Sequence, residues 1–255
     1  MTAPAEAPSE VGPAPMDGSV CLAYVHGHEV AYSWHLSVVG LLGYDLASQQ
    51  RVLRGGYLGM RYGTGGIVDA RNATVEEFLR GEGEWLFWTD TDMGFAPDTL
   101  DRLLDAADPV ERPIVGALCF SQQEYALDGM GGHRTRPRPT LFRWVEVGDG
   151  CQGFTAWLDY PREQLVEVAA TGSACILIHR DVLGKVAEQY GPNWYGRMAN
   201  PTTGQVLSED LSFCARAVAC GYPIFVDTRV KTTHLKQVWL GAEDACPADG
   251  SEVTG

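Results

Sequence analysis

The stretch EWLFWTDTDMGF, Glu84–Phe95, places two closely spaced carboxylates directly after an apolar run. Trp85–Trp88 have the continuous apolar character of a buried strand. Asp90 and Asp92 follow where that strand should end. Two acids at this spacing either end a strand and start a turn, or face one hard cation such as Mg²⁺ or Mn²⁺, which prefers oxygen ligands. From this stretch alone, both interpretations stay open.

Apolar runs and helical stripes alternate on both sides of this stretch. Strands are predicted at residues 20–25, 51–60, 85–88, 113–120, 173–180 and 223–227, and helices at 30–42, 67–79, 97–108, 182–190 and 209–218. Asp181 and Ser208 are the predicted N-caps of the last two helices, and a long irregular segment with prolines follows residue 120. This alternation predicts an α/β layer structure with a largely parallel sheet. Sites in such sheets lie at the carboxyl ends of strands, where Asp90 and Asp92 fall.

Composition argues against several classes of partner. The chain has 255 residues and a formal net charge of -14, which opposes binding to duplex DNA and to anionic membranes unless a local basic patch exists. No apolar stretch is long enough to span a bilayer. The seven cysteines form no CxxC pair, so we expect reduced, mostly buried thiols.

The two ends of the chain differ in composition from its middle. Residues 1–18 are rich in Ala, Pro, Glu and Ser, which predicts a disordered leader. Residues 241–255 predict a flexible tail, and residues 19–240 a single domain. The first residues lack the basic start and apolar run of a secretory signal. We therefore expect a cytoplasmic protein.

Two further groups of residues are candidates for chemistry. Glu209 and Asp210 fall in the first turn of a predicted amphipathic helix, where acids also serve simply to complement the helix dipole. His234 follows the last predicted strand, and a lone histidine is usually a surface or hydrogen-bonded core residue. Neither group indicates a function by itself.

The order of these pieces along the chain is more specific than any one of them. The segments ARN (70–72), TDTDM (89–93) and SED (208–210), followed by His234, resemble the GT-A glycosyltransferases, in particular those of the family-two type. The resemblance spans about residues 20–239. In detail, the segments YGTGGIVDARN and SEDLSFCARA are similar to those of glycosyltransferases encoded by actinobacterial phages. The resemblance to the GT-A family implies a Rossmann-like, nucleotide-sugar-binding GT-A fold with a mostly parallel central sheet.

The resemblance also implies roles for individual residues. The donor and its metal are expected to lie against Tyr24, Val25, His26, Arg71, Asn72, Asp90, Thr91 and Asp92. Within that set, Asp90 and Asp92 match the family's DxD motif. A further residue, His234, matches a late histidine that completes metal coordination. Arg71 and Asn72 match residues near the nucleotide base, as do the three residues that end the first strand.

Catalysis is assigned by the same resemblance. Asp210, with Glu209 beside it, matches the ED motif whose aspartate is the catalytic base of inverting members. The implied activity is a hexosyltransferase that uses Mn²⁺ or Mg²⁺ and a nucleotide-sugar, most simply a UDP-sugar. The motif QxxRW of processive synthases is absent, which argues against polymerisation. The first strand ends in YVHGH, where many relatives carry a proline.

The acceptor hydroxyl stays open between a virion protein, a modified DNA base and a glycan, and a phage enzyme would act in the host cytoplasm. One alternative is a non-catalytic relative that binds a sugar-nucleotide or a carbohydrate. Another is a phosphotransferase of the haloacid-dehalogenase kind, which also carries DxD after a strand. In that class a Thr or Val follows the second aspartate by two residues, whereas this chain has Gly94 there.

Overall fold

The computed structural model describes residues 14–126, 133–148, 150–200 and 202–237. Residues 1–13 of the predicted leader and the whole predicted tail lie outside this part of the chain. The first strand begins at Met16, within the range assigned to the leader. No helix in the described ranges combines the length and the apolar character needed to cross a bilayer.

From residue 16 to residue 118 strands are interspersed with helices, as the sequence predicts, whereas the described part of residues 120–179 contains strands and no helix. The strands are β1 (Met16–His26), β2 (Tyr57–Arg61), β3 (Gly83–Thr89), β4 (Met93–Gly94), β5 (Ile114–Leu118), β6 (Phe120–Ala126), β7 (His133–Pro139), β8 (Leu141–Gly148), β9 (Cys151–Ala156), β10 (Leu165–Val168), β11 (Ala170–Thr171), β12 (Cys175–His179), β13 (Ile224–Lys231) and β14 (Thr233–His234). The helices are α1 (Tyr32–Ala47), α2 (Arg51–Gly55), α3 (Gly66–Arg80), α4 (Thr99–Ala106), α5 (Arg180–Tyr190) and α6 (Glu209–Ala219).

A seven-stranded sheet in the order β10-β13-β5-β12-β3-β1-β2 forms the centre of the molecule. Five of these strands run in one direction, while β10 and β12 oppose them. The prediction of a mostly parallel sheet is therefore confirmed. The antiparallel β12 lies between β3 and β5, with Cys175 beside Thr89 and Ile176 beside Gly116.

Helices cover both faces of this sheet, because successive residues of its strands point to opposite sides. One buried cluster, on the side of α3, α5 and α6, includes Cys21, Ala23, Phe78, Leu86, Trp88, Val182 and Phe213. The other, on the side of α1, α2 and α4, includes Val20, Leu22, Trp34, Leu41, Val52, Phe87 and Leu103. The result is a three-layer α/β/α arrangement.

The cysteines of the described ranges are reduced and mostly buried, as predicted. No disulfide links the six cysteines of the described ranges, and Cys21, Cys119, Cys175 and Cys214 are buried. Burial raises the pKa of the Cys119 thiol to about 12, so that thiol stays protonated at neutral pH. Its role is that of a small apolar core residue.

The single strand predicted over residues 51–60 is wrong. Its first half forms α2, and β2 begins only at Tyr57. The buried Asp45 carboxylate accepts the backbone N–H groups of Arg51 and Val52 at 2.9 and 3.0 Å, which satisfies the first turn of this short helix. Gly56, at φ +80, then turns the chain into the strand.

The prediction of an irregular segment after residue 120 is also wrong. The segment contains two antiparallel pairs of strands, β6 with β7 and β8 with β9. Pro137 and Pro139 lie in β7, which in the described ranges pairs with β6 alone. A strand with one partner tolerates proline because one of its edges needs no backbone donor.

Of the two predicted N-cap residues, the structure confirms Ser208 and contradicts Asp181. The Ser208 hydroxyl caps α6 by accepting the N–H of Leu211, as predicted. For α5 the cap is His179 rather than Asp181. The imidazole Nδ1 of His179 accepts the N–H of Asp181 at 3.4 Å, so Asp181 lies in the first turn of the helix.

Two helical glycines should respond in opposite ways to alanine. A Cβ at Gly55 would lie 2.3 Å from the carbonyl carbon of Val20, so Gly55→Ala should destabilise the fold by roughly 1–3 kcal/mol through overpacking. A Cβ at Gly184, within α5, meets nothing within 4 Å. Gly184→Ala should therefore stabilise by about 0.5–1 kcal/mol. Urea unfolding of both variants tests this, and equal effects would contradict the packing of α2 on β1.

Candidate active site

The turn after β3 carries the two predicted metal-binding aspartates and is held from two sides. The N–H of Ala31, at the start of α1, donates to the Thr91 carbonyl at 2.8 Å. The N–H of Leu235, after β14, donates to the Asp92 carbonyl, also at 2.8 Å. Strand β4, which follows the turn, pairs with β14. The late histidine is thereby brought to the DxD segment, as the sequence order predicts.

Two basic side chains contact Asp92 at one oxygen. Its Oδ2 lies 2.9 Å from Nε2 of His234 and 2.8 Å from Nζ of Lys236. Burial raises the pKa of this carboxyl, but the contacts with His234 and Lys236 outweigh that effect and lower the pKa to about 2. Asp92 is therefore a carboxylate throughout the physiological pH range.

The other ring nitrogen of His234 fixes its orientation. Nδ1 lies 2.6 Å from the carbonyl oxygen of Phe120, and because a carbonyl can only accept, Nδ1 must carry the hydrogen. Nε2 then faces Asp92 either with a second proton or with a lone pair that needs a cation. Metal-binding histidines commonly donate their other N–H to a backbone carbonyl in the same way.

These side chains open onto one cavity of about 280 Å³. It is lined by Val25, Tyr62, Ile67, Asp90, Thr91, Asp92, His234 and Lys236. Carboxylate oxygens with one imidazole nitrogen are ligands that suit Mn²⁺ or Mg²⁺, so the donor types fit such an ion. As placed, however, no three His, Cys, Asp or Glu side chains in the described ranges converge on one point.

Asp90 is paired with the buried side chain of Arg71. The Arg71 side chain is only 1% exposed, and its Nη2 donates to Oδ1 of Asp90 at 2.9 Å. Its Nη1 donates to Oδ1 of Asp210 at 2.8 Å. The guanidinium carbon lies 5.4 Å from the ring centre of Trp88 and 5.2 Å from that of Tyr195, a cation–π arrangement. One buried cation thus links the DxD turn to helix α6.

The charge balance around Asp90 reflects both burial and this cation. Burial raises the pKa of the Asp90 carboxyl, and Arg71 opposes that rise. Arg71 itself stays charged, because guanidinium does not deprotonate in proteins. Without Arg71, the carboxylates of Asp90 and Asp210 would face each other with no cation between them.

The two acids of the ED motif point in different directions. Asp210 contacts Arg71, and its Oδ2 would lie 3.7 Å from a Cβ at Gly172. Glu209 instead lies 3.5 Å from the guanidinium of Arg197. Of the two, Asp210 is connected to the DxD turn.

The residues predicted near the nucleotide base divide into two groups. Val25 lines the cavity, Tyr24 packs edge-on against Trp34, and Nδ1 of His26 lies 2.8 Å from the Gly27 carbonyl. All three predicted residues end strand β1 at the edge that carries the site.

Arg71 and Asn72 do not line this cavity. Asn72 donates to the Asn193 side chain at 3.1 Å and accepts the N–H of Tyr195 at 2.9 Å, so it anchors the loop after α5. Trp194 and Tyr195 in that loop are buried, which favours the core role considered for aromatic residues there over stacking on a sugar.

Three cavity residues were missed by the sequence analysis. Tyr62 belongs to the glycine-rich turn YGTGG and Ile67 to the start of α3. Lys236 is the most informative, because it places an ammonium group on Asp92. A cation two residues after the late histidine was a signal available in the sequence.

Comparisons with known proteins support the fold. No protein-family model matches the chain, and no curated protein is similar in sequence. The crystal structure of A197 from STIV aligns with TM-score 0.49 and 14% identity, covering 86% of both chains. The crystal structure of GalNAc-T7 with UDP, GalNAc and Mn²⁺ aligns with TM-score 0.54 and 11% identity over 86% of this chain.

The chain spans 43% of the GalNAc-T7 chain in that alignment. At such low identity the likeness concerns the fold. Together with the mixed central sheet, it shows that this chain has the GT-A fold.

Loss of Arg71 should destabilise the protein strongly. Arg71→Met leaves two carboxylates without their buried cation, which should cost about 3–5 kcal/mol. Arg71→Lys keeps the charge but cannot donate to both carboxylates in the same geometry, so its cost should be smaller but clear. The matched control is Arg80→Met, since Arg80 is 62% exposed and pairs with surface glutamates. It should change stability by about 0–1 kcal/mol. Similar urea midpoints for Arg71→Met and Arg80→Met would contradict the bridging role.

Proposed function

We propose that this protein is a metal-dependent glycosyltransferase that moves a sugar from a nucleotide-sugar to an acceptor hydroxyl. The observation that carries the proposal is that a candidate metal-binding group and a second carboxylate lie close together on a GT-A fold. A carboxylate and an imidazole of the types that bind a divalent cation, Asp92 and His234, lie close to Asp90, which Arg71 links to a second carboxylate, Asp210. Sugar transfer needs both a cation at the leaving group and a base at the acceptor.

Asp92 and His234 are the side chains that we assign to Mn²⁺ or Mg²⁺, with Asp90 next to them as the first acid of the DxD motif. When bound, the ion neutralises the charge that develops on the leaving diphosphate. Lys236 already lies on Asp92, so its ammonium group is placed to contact the diphosphate as well. We assign the nucleotide, a UDP group in the simplest case, to the side of the cavity formed by Val25 and Tyr62.

The site has room on both sides of the late histidine. A second cavity of about 540 Å³ shares His234 and Lys236 with the first and is bounded by Phe120 and Pro137 near the β6–β7 hairpin. A donor bound at Asp92 would thus leave space for further substrate beyond the imidazole. We place no individual sugar or acceptor group in this second cavity.

Asp210 is the residue that we assign as general base. Its Oδ1 is held by Arg71, while its Oδ2 lies toward the small residue Gly172. A carboxylate that is fixed through one oxygen can accept the proton of an incoming hydroxyl at the other. This assignment implies inversion at the sugar carbon, because the acceptor then attacks directly. Glu209, which contacts Arg197, is assigned no proton transfer.

The finer assignments rest on the sequence motifs. They are the family-two type, a hexosyl donor, a single transfer rather than polymerisation, and a cytoplasmic location in a phage-infected host. The acceptor would be a virion protein, a modified DNA base or a glycan. A net charge of -14 favours the first and last of these over duplex DNA.

One observation favours the second candidate, a binding protein without catalysis. The Lys236 ammonium on Asp92 can satisfy that carboxylate in place of an ion. In such a protein UDP-sugar would bind equally well with and without Mn²⁺, and neither transfer nor donor hydrolysis would occur. Donor hydrolysis measured with Mn²⁺ and with EDTA separates the two candidates.

Asp92→Asn should abolish Mn²⁺-dependent donor binding while the fold survives, because the amide keeps the shape but loses the charge. For the wild type, UDP with Mn²⁺ at about 100 times Kd should add about 2.7 kcal/mol of stability. The control is Asp98→Asn, at the start of α4, where the side chain makes no capping bond. Thermal unfolding with UDP, with and without Mn²⁺, tests this. A Mn²⁺-dependent shift that persists in Asp92→Asn would exclude Asp92 as a ligand.

Asp210→Asn should bind UDP and Mn²⁺ like the wild type but transfer sugar about 10²–10⁴ times more slowly, the usual loss on removing a general base. Asp181→Asn is the matched control, because Asp181 is also an acid in the first turn of a helix. Product formation from a radiolabelled nucleotide-sugar measures the rate. If Asp210→Asn and Asp181→Asn transferred equally well, Asp210 would be only a helix-terminus acid.

A further inference from the structure

Helix α1 has an apolar face on the side that points away from the sheet. Its inner side buries Trp34, Leu41 and Asp45. On the opposite side Tyr32 is 75% exposed, and Leu36, Val39 and Leu46 are each more than half exposed. A surface helix normally presents charged and polar residues there. Within the described ranges, α1 is therefore apolar on both sides and covered on only one.

The outer residues have the spacing of a helix-pairing seam. Tyr32, Leu36, Val39, Gly43 and Leu46 follow one another at intervals of 4, 3, 4 and 3 residues. That alternation keeps side chains along one line of contact with a partner helix. Gly43 is exposed, and a Cβ there would meet nothing within 4 Å, so it forms a shallow depression in the seam.

The seam is nearly symmetric about Val39. Leu36 lies three residues before it and Gly43 four residues after it, while Tyr32 and Leu46 each lie seven residues away. If two copies of α1 cross antiparallel at Val39, Leu36 of each copy fits against Gly43 of the other. Such mutual fit of one patch to itself is the requirement of a two-fold interface.

Charge also favours a second copy of this chain over other occupants. Asp45, which is buried, is the one Asp, Glu, Lys or Arg in α1. A neutral seam lets two chains, each with net charge -14, approach without like charges in contact. A membrane-surface helix typically carries Lys and Arg on its polar side, and α1 carries neither.

We propose that α1 forms a homodimer interface in which two copies pack antiparallel about Val39. Tyr32, Leu36, Val39 and Leu46 are each more than half exposed, and large apolar side chains grouped on one exposed face mark a site of association. A standard interface buries roughly 800 Å² on each partner, so the seam would form the centre of a larger contact.

This interface would be joined to the candidate active site by direct hydrogen bonds. The N–H of Ala31 donates to Thr91 in the DxD turn, and the Ser37 hydroxyl of α1 accepts the N–H of Phe95 at 2.9 Å. Dimerisation would therefore restrain the helix against which the DxD turn is held. The proposal does not depend on the chemistry carried out there.

The test uses full-length protein and a charge pair placed on the symmetry axis. Val39→Asp and Val39→Lys each put two like charges face to face, so each variant alone should be a monomer. An equimolar mixture of the two should form a heterodimer. Val39 is 56% exposed, so circular dichroism at 25 °C should match the wild type, while Tm should fall only by the stabilisation that dimerisation adds. The control is Val110→Asp, at a position 76% exposed on another part of the surface, and it should stay dimeric.

Light scattering after gel filtration and sedimentation velocity give the masses. A wild type of twice 27.7 kDa, monomeric single variants and a dimeric mixture would support the interface. A wild type that stays monomeric up to about 100 µM, well above the Kd of a specific dimer, would overturn it. So would a Val39→Asp variant that remains dimeric, or a monomeric wild type that co-sediments with phosphatidylcholine vesicles.

Discussion

The contact on which the site depends is the buried guanidinium of Arg71 between Asp90 and Asp210. These aspartates belong to elements far apart in the chain, the turn after β3 and the first turn of α6. Each would carry a desolvation cost at its position without a cation. The guanidinium lies over the rings of Trp88 and Tyr195, and its side chain is only 1% exposed. The spacing between the two carboxylates is therefore set by one side chain rather than by the backbone alone.

Sequence patterns predicted the elements that have a clear periodicity and missed those set by partners. The run Trp85–Trp88 and the capped helix α6 appear where expected, because burial and capping leave local signals. The direction of β12 left no such signal, since a fully buried strand has the same apolar run in either direction. The hairpin of β6 and β7 was not predicted, because its prolines suggested an irregular segment although an edge strand tolerates proline. Asp45, which caps α2 from the end of the preceding helix, is a further tertiary detail.

Within the site, the order of motifs along the chain predicted which segments lie close together, but not the hydrogen-bond partners of their side chains. His234 was expected beside the DxD turn and lies there, with Nε2 on Asp92. Its bond to the Phe120 carbonyl depends on a neighbouring strand and could not be inferred. Arg71 was expected near a nucleotide base, yet it is buried between acids. Whether an arginine faces ligand or core is decided by packing, which a short motif does not encode.

The hydrogen bonds of the site also determine when it can form during folding. Asp92 is separated from His234 by 142 positions and Arg71 from Asp210 by 139. Closing loops of that length costs entropy that must be offset by contacts formed elsewhere. These hydrogen bonds therefore require the sheet contacts that bring β3 and β13 into one layer. A chain still emerging from the ribosome, with its last strand unmade, has Asp90 and Asp92 but lacks His234 and Lys236, the two groups that contact Asp92.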